Sequence, residues 1–146
     1  MIAIDRPQIA SMIPHRGAMC LLDAVLSWDL VSVRCMSRRH RCADNPLRRA
    51  DGTLGAACGV EVAAQAMAVH GRLVAGIGGP PTPGYLASVR DLCLRTARLD
   101  CIEGDLIIAA ERLMGDAQGA TYRFVLASDG IELLRGRATV LLGTAE

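Results

Sequence analysis

The sequence predicts an α+β domain in which one long helix is enclosed by a strongly curved antiparallel sheet. Three observations carry the prediction. Cys58 to Val74 (CGVEVAAQAMAVHGRLV) is rich in Ala, and its apolar residues go right round the helical axis, as in a buried helix. Strand-forming segments lie both before and after it. With 146 residues, 51% hydrophobic and 21% charged, the chain is long enough to bury a core as a single domain, residues 1–146, without disulfide or metal support.

The elements follow in order. A short helix opens the chain and ends at the turn Pro14-His15-Arg16-Gly17. Ala18 to Trp28 (AMCLLDAVLSW) and Leu30 to Ser37 (LVSVRCMS) make a strand pair around Trp28 and Asp29. Arg38 to Gly55 is polar and carries Asn45-Pro46 and Asp51-Gly52, both turn signals. The central helix comes next, stopped by Gly71 and the run GIGGPPTPG at 76–84, which cannot continue a helix or a central strand. Tyr85 to Leu99 suits helix or strand. Asp105 to Arg112, Ala120 to Ala127 and Ile131 to Leu142 read as strands, and Ser128-Asp129-Gly130 as a hairpin turn. A sheet open at its edges pairs readily with a second copy, so a dimer is expected.

Composition excludes several classes of function. A net charge of +1 and four aromatics (Trp28, Tyr85, Tyr122, Phe124) fit neither a basic nucleic-acid binder nor a stacking platform. Glu61, His70 and Arg72 interrupt the longest apolar run, so no membrane span is expected. The N-terminus lacks the apolar core of a secretory signal, which points to a cytoplasmic protein. Cys20, Cys35, Cys42, Cys58, Cys93 and Cys101 are scattered without a CxxC pair, so we expect buried thiols and no metal.

A few polar residues stand out. Glu61 falls in the first turn of the buried helix, where desolvation would favour its protonated form and the helix N-terminus its charged form. Gln65, four residues on, shares its face. Glu61 also suits a plain role on the first-turn amides, and His15, in a loop, also suits a solvated surface residue. His40 follows two arginines in a polar loop, and His70 lies near the helix C-terminus; neither needs a chemical role. A histidine near neutral pKa and a partly buried glutamate are the pair that proton removal beside a carbonyl requires.

Pro14-His15-Arg16, followed by an apolar strand containing an acid (MCLLDAV), resembles the opening motif of the bacterial β-hydroxyacyl-acyl-carrier-protein dehydratases. Glu61-Val62-Ala63-Ala64-Gln65 is similar to the Glu-x-x-Ala-Gln at the start of that family's central helix. The run Asn45-Pro46 then Asp51-Gly52 resembles the divergent branch linked to aryl-polyene-type pathways. The resemblance implies a hotdog fold, usually dimeric, and a 3-hydroxyacyl-[acyl-carrier-protein] dehydratase of fatty acid or polyene-type biosynthesis. It implies His15 as the base that takes the α-proton and Glu61 as the acid that assists departure of the β-hydroxyl, the two coming from different subunits. Backbone amides around Gly55, Ala56 and Ala57 would receive the thioester oxygen, and Gln65 would orient the acid. The helix alanines (Ala63, Ala64, Ala66, Ala68) would line an acyl tunnel or serve close packing. Arg38, Arg39, Arg41, Arg48 and Arg49 would dock the acidic carrier protein, or form a solvated face. The substrate would arrive on the carrier's phosphopantetheine, with no other cofactor. This chain lacks the family's Phe-Pro-Gly-His-Phe-Pro stretch, having Arg48-Arg49-Ala50-Asp51-Gly52 there. Two further readings remain open: a hotdog thioesterase using Glu61 to activate water, and a non-catalytic partner subunit that binds the carrier, possibly in a heterodimer.

Overall fold

A computed structural model describes residues 3–13, 17–76, 84–116 and 118–142 of the chain. The elements are β1 (Ile4–Asp5), α1 (Arg6–Ala10), β2 (Ala24–Trp28), β3 (Ser32–Ser37), α2 (Gly59–Ala75), β4 (Gly84–Leu94), β5 (Leu106–Asp116), β6 (Gly119–Ser128) and β7 (Ile131–Leu142). The strands form one sheet in the order β1-β2-β3-β5-β6-β7-β4, and every neighbouring pair is antiparallel. Tyr85 to Leu99 resolves as a strand as far as Leu94, because β4 pairs along its length with β7. The sequence reading missed β1, a two-residue strand too short to carry a periodic signal.

Local chemistry explains the boundaries. Asp5 caps α1 in a reciprocal box with Gln8: each side chain bonds the other residue's backbone N–H, and Pro7 sits in the first turn. The Ser128-Asp129-Gly130 turn has positive φ at both Asp129 (52°) and Gly130 (79°), the twist that a two-residue hairpin demands. The side chain of Asp51 accepts bonds from the backbone N–H and hydroxyl of Thr53, and Gly52 takes φ +86°, which closes the turn before α2.

Helix α2 lies across the sheet and packs on β3, β5, β6 and β7. Its buried residues include Ala63, Ala66, Met67 and Val69; Ile108, Tyr122, Phe124, Leu126 and Leu134 of the sheet share the same cluster. Each fully buried Leu, Ile or Phe contributes about 1.5–3 kcal/mol. Small residues let the layers approach: a Cβ on Gly59 would stand 2.9 Å from Leu134 Cδ2 and 3.0 Å from Leu126 Cδ2. Ala63 and Ala66, fully buried, serve this packing, while Ala64 and Ala68 are half-buried.

All six cysteines are free thiols. Cys20 and Cys35 are buried, and desolvation pushes the Cys35 thiol up to about 12. Cys58 and Cys93, which also sit in apolar runs and are expected to be buried, are only half-buried, and Cys101, outside any apolar run, is exposed. Among the described residues no helix is long and apolar enough to cross a membrane.

Candidate active site

The site begins where the chain enters α2. Leu54 and its neighbours are tied to the segment at 97–100: Leu99 N–H donates to Leu54 O (2.8 Å), Leu54 N–H to Asp100 Oδ1 (2.9 Å) and Ala56 N–H to Ala97 O (3.0 Å). The Arg98 guanidinium pairs with Asp100 and, with the Leu54 amide, holds that carboxyl well below the usual carboxylate range. A 3-10 turn, Ala56–Cys58, then leads into the helix. Of the three positions expected to receive a thioester oxygen, Ala56 is buried and has its N–H committed to Ala97, which removes it from that role. Gly55 is buried and Ala57 exposed. Above Gly55 lies the guanidinium of Arg49, whose Nη2 is 2.7 Å from where a Cβ would stand.

Glu61 stands in the first turn of α2 and is half-buried. Gln65, one turn on, is 1% exposed. Its Nε2 donates to Met19 O (2.8 Å) and its Oε1 accepts from Leu21 N–H (2.8 Å). What Gln65 holds is therefore the main chain at Met19 and Leu21, a contact across 44–46 residues of sequence that helical spacing does not reveal. His15, with Pro14 and Arg16, lies outside the described residues. The stretch that Gln65 holds is also held by Arg6, whose Nη2 donates to Gly17 O (2.9 Å) and Cys20 O (2.7 Å). An open cleft of about 400 Å³ adjoins it, lined by Arg6, Gly17, Cys20, Arg39, Asp44 and Asn45 among others.

The loop arginines are engaged within the chain. Arg39 grips the Asp23 carboxylate through Nη2 (2.8 Å) and Nε (3.3 Å). Arg38 and Arg41 both pair with Asp105, at 3.5 and 3.0 Å. Arg48 donates to the carbonyls of Cys42 (2.9 Å), His40 (2.9 Å) and Gly52, satisfying acceptors that a folded-over loop would leave bare. Arg49 reaches Thr53 Oγ1 at 3.3 Å. Arg38, Arg41 and Arg49 are exposed, Arg39 and Arg48 half-buried.

The other two histidines are both buried, which for His40 departs from the reading of a polar loop. His40 is buried, and its Nε2 donates to Ile102 O (3.0 Å). His70 is fully buried: Nε2 donates to Asp29 O (2.8 Å), and Nδ1 accepts from the Tyr122 hydroxyl (2.7 Å). Burial lowers the pKa of both.

Comparison with known proteins bears on the whole chain. The family model described as ApeP-like, ApeP dehydratase, matches residues 7–144. Among solved structures, the dehydratase heterocomplex ApeI:P from Xenorhabdus doucetiae aligns with a TM-score of 0.81 at 21% identity, covering 93% of this chain and 91% of that one. Zebra fish thioesterase superfamily member 2 aligns with a TM-score of 0.62 at 18% identity, covering 94% and 95%. A mutant form of the thioesterase PA1618 from Pseudomonas aeruginosa aligns with a TM-score of 0.59 at 13% identity, covering 82% and 79%. A search of curated proteins finds no match. A long helix on a curved antiparallel sheet, shared with these structures, is the hotdog fold.

Proposed function

This chain belongs to the ApeP-like dehydratase family, and on that premise we propose that it removes water from a 3-hydroxyacyl thioester carried on the phosphopantetheine of an acyl carrier protein, in an aryl-polyene-type pathway. No cofactor beyond the carrier's arm is needed. His15 takes a proton from Cα, the Cα–Cβ double bond forms, and the Cβ–O bond breaks. Glu61 delivers the proton with which the β-hydroxyl leaves as water, giving the trans-2-enoyl thioester. Charge gathering on the thioester oxygen is met by main-chain N–H groups where α2 begins, at Gly55 and Ala57 rather than Ala56.

The observation that carries this reading is the placement of Glu61: a half-buried carboxyl in the first turn of a buried helix, one turn before a glutamine bonded to the main chain that follows His15. The test is direct. His15→Ala and Glu61→Gln should each cut conversion of a 3-hydroxyacyl thioester to its enoyl form by about 100-fold or more, the contribution typical of a positioned acid or base. Near-normal turnover in either folded variant refutes its role. Free thiol without enoyl product would identify a thioesterase instead.

Strand β4 supports an oligomeric site. It is an outer strand of the sheet, eleven residues long, with Tyr85, Val89, Leu92 and Leu94 exposed. Pairing this edge with a second copy, or with a homologous subunit as in the ApeI:P heterocomplex, would cover them and bring His15 of one subunit toward Glu61 of the other. The carrier's acidic surface would meet Arg38, Arg41 and Arg49, the exposed members of the basic loop. Arg39 and Arg48 hold the loop's own shape.

A further inference from the structure

We propose that the face of the sheet turned away from α2 is a docking surface for an acidic helix of a partner protein, one that carries carboxylates a turn apart along one side. The inference is independent of the chemistry assigned to His15 and Glu61. Tyr122 and Phe124 on β6, and Gly136 and Ala138 on β7, are buried on the helix side, so Arg123 and Arg137, which alternate with them, point the other way. The register sets Arg123 opposite Arg137, and Arg137 opposite Arg90. Three arginines on the adjacent strands β6, β7 and β4 thus form one row, and all three are exposed. Arg135, also exposed, stands on the same face two residues along β7.

Packing gives no reason for this row, because like charges directly opposite each other on paired strands repel. The chain's own carboxylates relieve only part of that repulsion. Glu111 accepts from Arg123 Nη1 (2.9 Å) and Asp91 from Arg137 Nε (3.0 Å), while Glu132 is shared between Arg135 (3.7 Å) and Arg95 (2.7 Å). The first two pairs are exposed, so an incoming carboxylate can replace them at little cost. Among the described residues the side chains of Arg90 and of Arg34 on β3 have no partner. The chain contains no lysine, and guanidinium forks bind carboxylates through two parallel bonds. Spacing selects a helix as the element that presents them. Neighbouring strands lie about 4.8 Å apart, so the row spans roughly 9.6 Å from Arg90 to Arg123. Seven residues of helix rise about 10.5 Å, which sets acids at i, i+4 and i+7 over the three guanidiniums in turn. An extended strand laid along the row has same-side residues about 6.8 Å apart and falls out of step. Pairing of the β4 edge with another chain uses its main chain and leaves this face open.

The experiment measures, by fluorescence anisotropy, binding of the full chain to an alanine-rich helical peptide with glutamate at i, i+4 and i+7. The control is a peptide of the same composition with its glutamates scattered around the helix. The patterned peptide should bind at least about tenfold more tightly than the scattered one and lose affinity as salt rises. Arg90→Gln, Arg123→Gln and Arg137→Gln should each weaken binding by about three- to tenfold, and the triple variant should abolish it. Because these changes remove repulsion, the triple variant should keep a urea midpoint at or above that of the wild type. If it fails to fold, the single variants decide. Equal affinity for the two peptides overturns the proposal, as does wild-type affinity in the folded triple variant. Tighter binding of duplex DNA or of phosphatidylglycerol vesicles, lost with the same substitutions, also overturns it, by assigning the face to a phosphate surface.

Discussion

His70 lies on α2 with both ring nitrogens engaged, Nε2 toward a carbonyl that can only accept and Nδ1 toward the Tyr122 hydroxyl. That arrangement suits the neutral imidazole, and burial, the largest influence on the ring, favours it over the opposing pull of the Asp29 charge. The Asp29 carboxylate is turned into its own hairpin, accepting from Val31 N–H, Ser32 N–H and the Ser32 hydroxyl, and Arg112 disfavours a second positive charge nearby. His40 is buried in the same way. In both cases the folded-state pKa lies below the ordinary value of 6.5. As pH falls through 6.5 the unfolded chain takes up protons that the folded chain does not, so stability is full above that value and is lost below it. Urea unfolding should give a lower midpoint at about pH 5.5 than at about pH 7.5. Replacing both histidines with glutamine should flatten that difference; an unchanged slope would assign the dependence to other groups. The residue types at these positions are plain in the sequence. Their burial is not, because His40 follows Arg38-Arg39 and looks like part of a wet loop until Ile102 closes over it.

At the scale of elements, the hydrophobic contact between α2 and the middle of the sheet dominates. Phe124 of β6 is fully buried and is the chain's single phenylalanine. Its ring fills the space left by Gly136 on the paired β7, where an added Cβ would stand 3.1 Å from Phe124 Cζ. Phe124→Ala should cost about 3–5 kcal/mol, the range for a large buried aromatic whose cavity cannot collapse, read as a fall in the urea midpoint at constant slope. A loss under about 1 kcal/mol would mean that β6 and β7 repack freely around the gap. The helix, the β2–β3 pair and the three last strands were legible because each carries its own periodicity and turn chemistry. Strand β4 was not. Its irregular alternation has a cause in the fold: bulges interrupt the register with β7 between Leu86 and Ser88 and between Arg90 and Cys93, with Asp91 at φ +55° and bonded to Arg137.

For the whole molecule the deciding feature is the outer edge of the sheet at β4. Val89 and Leu94 pair in register with Ala138 and Leu134, both buried residues of β7, yet are themselves 36% and 45% exposed. An outer strand with that pattern is shaped for pairing with another chain. Val89→Glu and Leu94→Glu should weaken self-association, seen as a shift toward monomer by sedimentation. They should also lower turnover in proportion if the site takes His15 and Glu61 from different subunits. Monomeric protein with full activity would place both groups in one chain.

The sequence by itself determined a long helix enclosed by a curved antiparallel sheet and the turn at Ser128-Asp129-Gly130, and its motifs nominated His15 and Glu61 by resemblance, since periodicity, turn chemistry and short motifs are local properties. Tertiary structure alone decided which arginines are spent holding the loop before α2, that the Ala56 amide belongs to Ala97, and that Gln65 holds the backbone at Met19 and Leu21. Those are pairings between groups far apart in the chain, or between a side chain and whichever carbonyl the folded loop leaves bare, and no local pattern encodes them.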